Sequence, residues 1–224
     1  MVMTCLDSIW DELRPGETVI IEYSSLLFPA VVFYQALMWA SKRNYKIIID
    51  DVLDSLYLYK VHLQLAGLST DIFDSIEIIK EGGVLPVGRV ASHLELKQYG
   101  VRKVEYERAY KLIMSRTEEK QIVNLVVGAE KLFLISNVRE NINTLNLILS
   151  YMGDKRKITL YFINKDLLEV SGAYLLPLLE ELATTVIRID KRNERYVVSV
   201  AKSINSKLEG VGVPLNQESI GKTF

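Results

Sequence analysis

The sequence predicts a three-layer α/β/α protein whose central sheet is mostly parallel and carries antiparallel strands at one edge. Three observations favour this fold class. Short β-branched runs alternate with longer segments that repeat apolar residues every three or four positions. The last two strand-like runs are separated by a short polar turn, as in an antiparallel pair. The 224 residues are 49% hydrophobic and 25% charged, which is typical of an ordinary globular protein.

The first half of the chain predicts two strand–helix units in succession. The first strand follows the turn at Pro15 and Gly16, and the first helix tolerates Pro29 because proline fits the first helical turn. The second strand ends in the acidic pair Asp50 and Asp51. We assign strands to 19–21 and 46–50, and helices to 28–43 and to the apolar face that runs from 58 to 68.

The second half continues the alternation. Gly82 and Gly83 separate two apolar runs, which form either a hairpin or two sheet strands joined by a turn. The run at 122–127 predicts a strand that is buried on both faces. We assign strands to 76–79, 84–91, 122–127, 158–163, 186–189 and 196–200, and helices to about 104–117, 142–152 and 175–182.

We expect a single domain over residues 1–204 and a mobile tail over 205–224. The uncharged stretch from 23 to 40 is long enough to raise the alternative of a membrane span. Pro29 and Gln35 interrupt it, so a strand followed by a helix accounts for it better. The N-terminal segment is acidic where a secretory signal would be basic. We therefore expect a cytoplasmic protein that does not enter the membrane.

Charge and cysteine content exclude several classes of function. A net charge of −1 gives the chain no general attraction to nucleic acid. The single cysteine, Cys5, excludes an intrachain disulfide framework and fits a reducing compartment. His62 and His93 have no partners at metal-ligand spacing, so we expect no metal site. We expect solvated surface at the short basic patches 42–43, 102–103, 155–157 and 191–192.

Several segments together carry a resemblance to a known family. The turn at 13–17 leads into a strand that ends in Glu22, and later strand-like segments follow in a fixed order: 47–51, 125–128, 158–164 and 196–202. This order and its hydrophobic pattern resemble the KaiC-like members of the RecA ATPase superfamily, and also a small group of uncharacterised archaeal proteins. The resemblance covers roughly residues 6–204 and implies a nucleotide-binding loop directly after Glu22.

The chain departs from that family where phosphate and metal would bind. A phosphate-binding loop needs glycines for close backbone approach, a lysine for the phosphate charge and a hydroxyl for Mg²⁺. Aligned from Glu22, Tyr23 and Phe28 replace the glycines, Pro29 replaces the lysine and Ala30 replaces the hydroxyl residue. In addition, Gly128 takes the place of the acid on the metal-binding strand. We therefore predict that Mg-ATP is not hydrolysed and that no cofactor binds.

Four residues remain as candidates for a vestigial site, namely Ser24, Ser25, Asp50 and Asp51. The resemblance would give one of the two acids a water-activating role. The simpler interpretation is that one acid caps the next helix and the other is solvated, since a base without phosphate or metal has nothing to activate. We assign no catalytic, cofactor-binding or metal-binding residue.

The helix at 28–43 is apolar around most of its circumference, which predicts either deep burial or a contact between subunits through Tyr34, Met38 or Trp39. We expect a homo-oligomer, with a dimer favoured, and a protein or peptide as a further partner. The sequence thus predicts a non-catalytic interaction or regulatory module. Two alternatives stay open: a nucleotide-binding enzyme that uses Asp50 and Asp51, and a recombinase-like protein that associates with nucleic acid.

Overall fold

A computed structural model describes residues 6–116, 121–192 and 195–215. Its strands are β1 (Thr18–Tyr23), β2 (Lys46–Val52), β3 (Glu77–Glu81), β4 (Arg89–Leu94), β5 (Ile122–Val127), β6 (Lys157–Asn164), β7 (Thr185–Arg192), β8 (Arg195–Ser203) and β9 (Gly212–Leu215). Its helices are α1 (Asp7–Trp10), α2 (Ala30–Lys42), α3 (Ser55–Leu65), α4 (Tyr99–Ser115), α5 (Glu130–Leu134), α6 (Val138–Ser150), α7 (Lys165–Ser171) and α8 (Leu175–Leu182), with a 3-10 helix at Asp71–Ser75.

The described strands form one sheet in the order β4-β3-β2-β5-β6-β1-β7-β8-β9. All pairs from β4 to β7 are parallel. The pairs β7–β8 and β8–β9 are antiparallel and form one edge. The fold is thus the three-layer α/β/α arrangement that the sequence predicts.

Alternate residues of the central strands enter cores on opposite faces of the sheet. Val19 and Ile21 of β1 join the larger core, which also contains the buried side chains of α1, α2 and α3. Ile20 joins a second core beneath α5 to α8, and Ile48 of β2 joins a third beneath α4. Residues that are adjacent in one strand therefore lie in different layers.

Two expectations about the strands need correction. β3 and β4 pair in parallel, so the hairpin alternative for the runs beside Gly82 and Gly83 is wrong. The predicted tail contains β9, which pairs with β8, and Asn205 and Leu208 are buried. Residues 205–215 therefore belong to the sheet domain, and 216–224 lie outside the described residues.

The helix α2 is covered within a single chain. Tyr34 and Trp39 are buried, and the Trp39 indole donates to the Asp11 carboxylate at 2.8 Å. Deep burial rather than a subunit contact accounts for its apolar composition. Within the described ranges, no helix combines the length and the apolar character that crossing a membrane requires.

Candidate functional site

The carboxyl ends of β1, β5 and β6 meet at one edge of the sheet, where parallel α/β sheets place their ligands. A cleft of about 390 Å³ opens there. Its wall includes the segment between β1 and α2, the start of α5 and the end of β6. Of the four predicted site residues, only Ser25 lines this cleft.

The segment from 24 to 29 is held by contacts within the chain. The Ser25 backbone N–H donates to the Asp166 carboxylate at 2.7 Å, and the side chains of Ser25 and Asn164 are hydrogen-bonded. Asn164 also caps α7 by accepting the N–H groups of Asp166 and Leu167. The carbonyl of Ser24 accepts the Leu27 N–H in a turn. The Asp166 carboxylate therefore already accepts a backbone N–H of the segment that aligns with the phosphate-binding loop.

The backbone of this segment is unlike a cradle for phosphate. Tyr23 is the last residue of β1, and its hydroxyl lies 3.2 Å from that of Tyr59. Pro29 precedes α2 and brings no N–H to its first turn. No residue from 24 to 29 has a positive φ angle. Phosphate loops depend on such conformations to turn several N–H groups toward one anion.

Gly128 follows β5, where the resemblance would place a metal-binding acid. Its φ angle is +81°, and a Cβ atom built on it would lie 2.0 Å from the Ser55 hydroxyl and 2.6 Å from the Val52 carbonyl. No aspartate fits this position unless the start of α3 moves. Close packing of two backbone segments explains the glycine.

Asp51 belongs to a buried ion-pair network next to the cleft. Its carboxylate accepts the Leu56 N–H at 2.9 Å and pairs with Lys80 at 2.9 Å. Lys80 also contacts Asp54 at 2.5 Å, and Asp54 in turn accepts the N–H groups of 84 and 85. The hydrogen bond from the Leu56 N–H matches the prediction that one acid caps the next helix. Each charged group of the network has a partner within it.

Asp50 points to the opposite face of the sheet and is buried, so the prediction that the second acid is solvated is wrong. It accepts hydrogen bonds from the Tyr106 hydroxyl at 2.8 Å and the Asn124 amide at 3.0 Å. Burial raises the pKa of Asp50. The cavity at this face holds only about 40 Å³, room for about one water molecule. Two acids that are adjacent in sequence therefore have unrelated environments.

Two residues of the predicted basic patches lie inside the protein. Arg102 donates to Thr144 at 2.7 Å, and its Nε lies 3.7 Å from the Glu81 carboxylate. The Lys157 ammonium lies 4.5 Å from the ring centres of Tyr110 and Tyr151. Burial lowers the pKa of Lys157 to about 8 and raises that of Glu81 to about 7. The expectation of solvated surface is wrong for these positions, because Arg102 lies beside the buried Glu81 and Lys157 is buried against two aromatic rings.

Glu130 is a residue of the cleft that the sequence did not reveal. It begins α5, lines the cleft and is only 2% exposed. Burial raises its pKa to about 7, although the backbone N–H groups of Glu130 and Asn164 hydrogen-bond to the carboxylate. Its Oε2 has no hydrogen-bond partner among the described residues. A lone glutamate after Gly128-Ala129 matches no motif, so only its three-dimensional placement identifies it.

The rim of the cleft is apolar. Leu26 is 90% exposed and Phe28 is 55% exposed. Phe28 packs edge-on against His62, with ring centres 5.1 Å apart. His62 therefore serves as part of an aromatic contact, whereas His93 is exposed on β4. Cys5 lies outside the described residues.

The fold is that of RecA/KaiC-like domains. The chain is similar across 90% of its length to a KaiC-like protein from Pyrococcus horikoshii, PH0186, at 12% identity and a TM-score of 0.62 over 86% of that chain. It is also similar to the uncharacterised protein PH0321 of the same organism, crystallised with an unknown peptide. There the identity is 13% and the TM-score 0.63, over 94% of this chain and 97% of that one. At these identities the likeness shows the fold alone.

The chain belongs to the family described as Pyrococcus protein of unknown function, DUF257, whose model matches residues 8–214. In agreement, it is 30% identical to the PH0250 protein of Pyrococcus horikoshii, with a TM-score of 0.81 over 94% of this chain and 98% of that one. Among curated proteins there is no match. The resemblance to KaiC-like proteins and to an uncharacterised archaeal family is confirmed.

Proposed function

We propose that this protein is a non-catalytic relative of the RecA/KaiC ATPases that acts as a protein-interaction or regulatory module. The observation that carries the proposal is the contact between the Ser25 N–H and the Asp166 carboxylate. In a phosphate-binding loop this N–H would donate to the ligand, but here it donates to a carboxylate of the same chain. Nucleotide binding would have to displace it.

Electrostatics at the cleft favour this proposal. Phosphoryl transfer depends on a lysine and Mg²⁺ to balance the charge of the phosphates. Here Glu130 lines the cleft and Asp166 lies beside it on Ser25, while Lys131 also belongs to the lining. The Lys131 ammonium donates to the Leu53 carbonyl at 3.2 Å. A triphosphate would therefore meet carboxylates without the charge compensation that ATPases provide.

The surface around the cleft suits contact with a protein or peptide. An apolar groove of about 310 Å³ adjoins the cleft between α2 and α3 and shares Phe28 and His62 with it. Tyr196 and Leu215 of the antiparallel edge complete its lining. Apolar concave surfaces of this kind are typical of binding sites and are uncommon elsewhere on a monomer. The unknown peptide bound by PH0321 supports a peptide as partner here.

Self-association is a further part of the proposal. The helix α2 is covered, but Leu65 of α3 is 82% exposed and Tyr57 and Leu58 are also exposed. A homodimer that buries these side chains would remove the apolar patch from water, and about 1,600 Å² in total is typical of a stable contact. Light scattering at micromolar concentration with and without ATP tests this. A monomer at all concentrations, or a hexamer formed only with nucleotide, contradicts it.

Calorimetry with Mg-ATP and Mg-GTP, together with a phosphate-release assay, tests the loss of catalysis. We expect neither binding heat nor turnover. Turnover that disappears in Asp51→Asn, with that variant still folded by circular dichroism, would restore the enzyme alternative. DNA titrations at low and high salt test the recombinase alternative, because phosphate contacts would give salt-dependent binding.

A further inference from the structure

Glu130 differs from most buried acids because its charge is not balanced inside the protein. Oε2 has no hydrogen-bond partner among the described residues, and no described basic side chain forms an ion pair with this carboxylate. Lys131, the next residue, uses its ammonium on a carbonyl oxygen instead. An ionised carboxylate that no cation balances is costly to bury, even where backbone N–H groups donate to it. A cation that enters the cleft would remove that cost.

The cleft offers a path of suitable chemistry to this carboxylate. Leu58 and Leu167 line it with apolar residues, and Tyr23 and Tyr59 also belong to the lining. Leu26 and Phe28 stand exposed at the rim. A lysine side chain fits an apolar rim with an acid further in, because its apolar four-carbon stem carries a compact ammonium group at its end. Glu130 in the cleft and Asp166 beside it disfavour an anionic ligand, although Lys131 also lines the cleft.

We propose that the cleft binds a lysine side chain of a partner protein, with its stem against the apolar rim and its ammonium paired with the Glu130 carboxylate, which turns from its buried position toward the cleft to meet it. This inference rests on the proposed interaction function and adds the chemistry that the partner presents. Glu130 is the specificity-determining residue, and Phe28 with Leu26 supplies the contact with apolar residues that flank the lysine. The volume of about 390 Å³ accommodates one such side chain together with part of its neighbours.

Capped pentapeptides provide the probe. Acetyl-Ala-Leu-Lys-Leu-Ala-amide is titrated into the full-length protein, followed by the peptides that carry Gln or Glu in place of Lys. Acetylation removes the N-terminal amine, so the side chain is the only ammonium present. We expect the Lys peptide to bind about tenfold or more tightly than the Gln peptide, as a charge-assisted hydrogen bond would give, and the Glu peptide to bind most weakly.

Two variants test whether the preference for the Lys peptide depends on Glu130. Glu130→Gln keeps the shape of the side chain, and we expect the preference for Lys over Gln to fall to about one. Glu169→Gln is the matched control, because Glu169 is exposed on α7 and does not line the cleft, and it should keep the wild-type preference. The comparison of peptides on the wild-type protein does not depend on whether either variant folds.

An equal affinity for Lys and Gln peptides, an unchanged preference in Glu130→Gln, or no binding of any peptide overturns the inference. A titration with Mg-ATP in the same buffer separates it from the proposed function. Binding of Mg-ATP contradicts the proposed function, whereas absence of lysine preference without nucleotide binding contradicts only the recognition of lysine.

Discussion

Asp51 lies near the end of β2 and Glu130 comes shortly after the neighbouring strand β5, and the two are almost equally buried, at 1% and 2% exposure. Asp51 lies in a network with Lys80, Asp54 and a helix N–H, so each charge has an internal partner. Glu130 lies on the wall of a cleft and keeps an oxygen without a partner among the described residues. Burial alone therefore does not distinguish the two acids. What separates the two is whether the chain provides the opposite charge.

The largest effect is expected where the paired network is broken. Lys80→Met should leave Asp51 buried without its cation, and removing one partner of a buried pair typically costs about 3–5 kcal/mol. Urea unfolding at pH 7 measures the loss. Lys97→Met is the control, because Lys97 forms exposed ion pairs with Glu95 and Glu105 and should lose less than about 1 kcal/mol. Similar losses for both variants would contradict the difference between the two environments.

Glu130→Gln should raise the free energy of unfolding, whereas Lys80→Met should lower it. Burial raises the folded-state pKa of Glu130 from 4.5 to about 7. Its contribution to stability is therefore complete below pH 4.5 and is lost as the pH rises through 7. The glutamine cannot ionise, so the variant should match the wild type near pH 4 and gain about 2–3 kcal/mol of unfolding free energy relative to it at pH 8.

The groups around Glu130 do not reverse the upward shift of its pKa. Lys131 lowers the pKa only in part, and Tyr23 and Tyr59 stay neutral because burial raises their own pKa values. Urea unfolding at pH 4, 6 and 8 provides the measurement, and Glu169→Gln is the control. A variant that is less stable than the wild type at pH 8 would show that the carboxylate is satisfied in the folded state.

The sequence predicts the sheet and its main helices because their apolar periodicities are long and regular. It also predicts the loss of phosphate chemistry, since four of the substituted residues fall within the short segment 23–30 and the fifth is Gly128. It does not reveal the contact between Ser25 and Asp166, which are 141 positions apart. Nor does it reveal that Arg102 and Lys157 are buried, because their partners come from other elements. Charge pairing depends on tertiary neighbours, which local pattern does not encode.

A smaller effect is expected at Gly128, beside the paired network. Gly128→Ala adds a Cβ atom 2.0 Å from the Ser55 hydroxyl in a left-handed backbone conformation, which together should cost about 1–3 kcal/mol. Gly67→Ala is a matched control, because its φ angle is similar, at +79°, but nothing lies within 4 Å of the added atom. Urea unfolding of both variants separates crowding from backbone strain. Equal losses would mean that α3 moves away at no cost.

The smallest effect is expected from an attempt to restore the phosphate loop. The double variant Pro29→Lys and Ala30→Thr returns a charge and a hydroxyl to the segment before and within α2. The Ser25 N–H would still donate to Asp166, and the position of Gly128 would still have no room for a metal-binding acid. The sequence places the obstacle at Tyr23 and Phe28, but Tyr23 ends β1 and contacts Tyr59, so the contact with Asp166 is the stronger reason. We therefore expect no Mg-ATP binding by calorimetry. Micromolar binding by this double variant would show that the loop keeps a phosphate-binding geometry and that Glu130 and Asp166 do not exclude an anion.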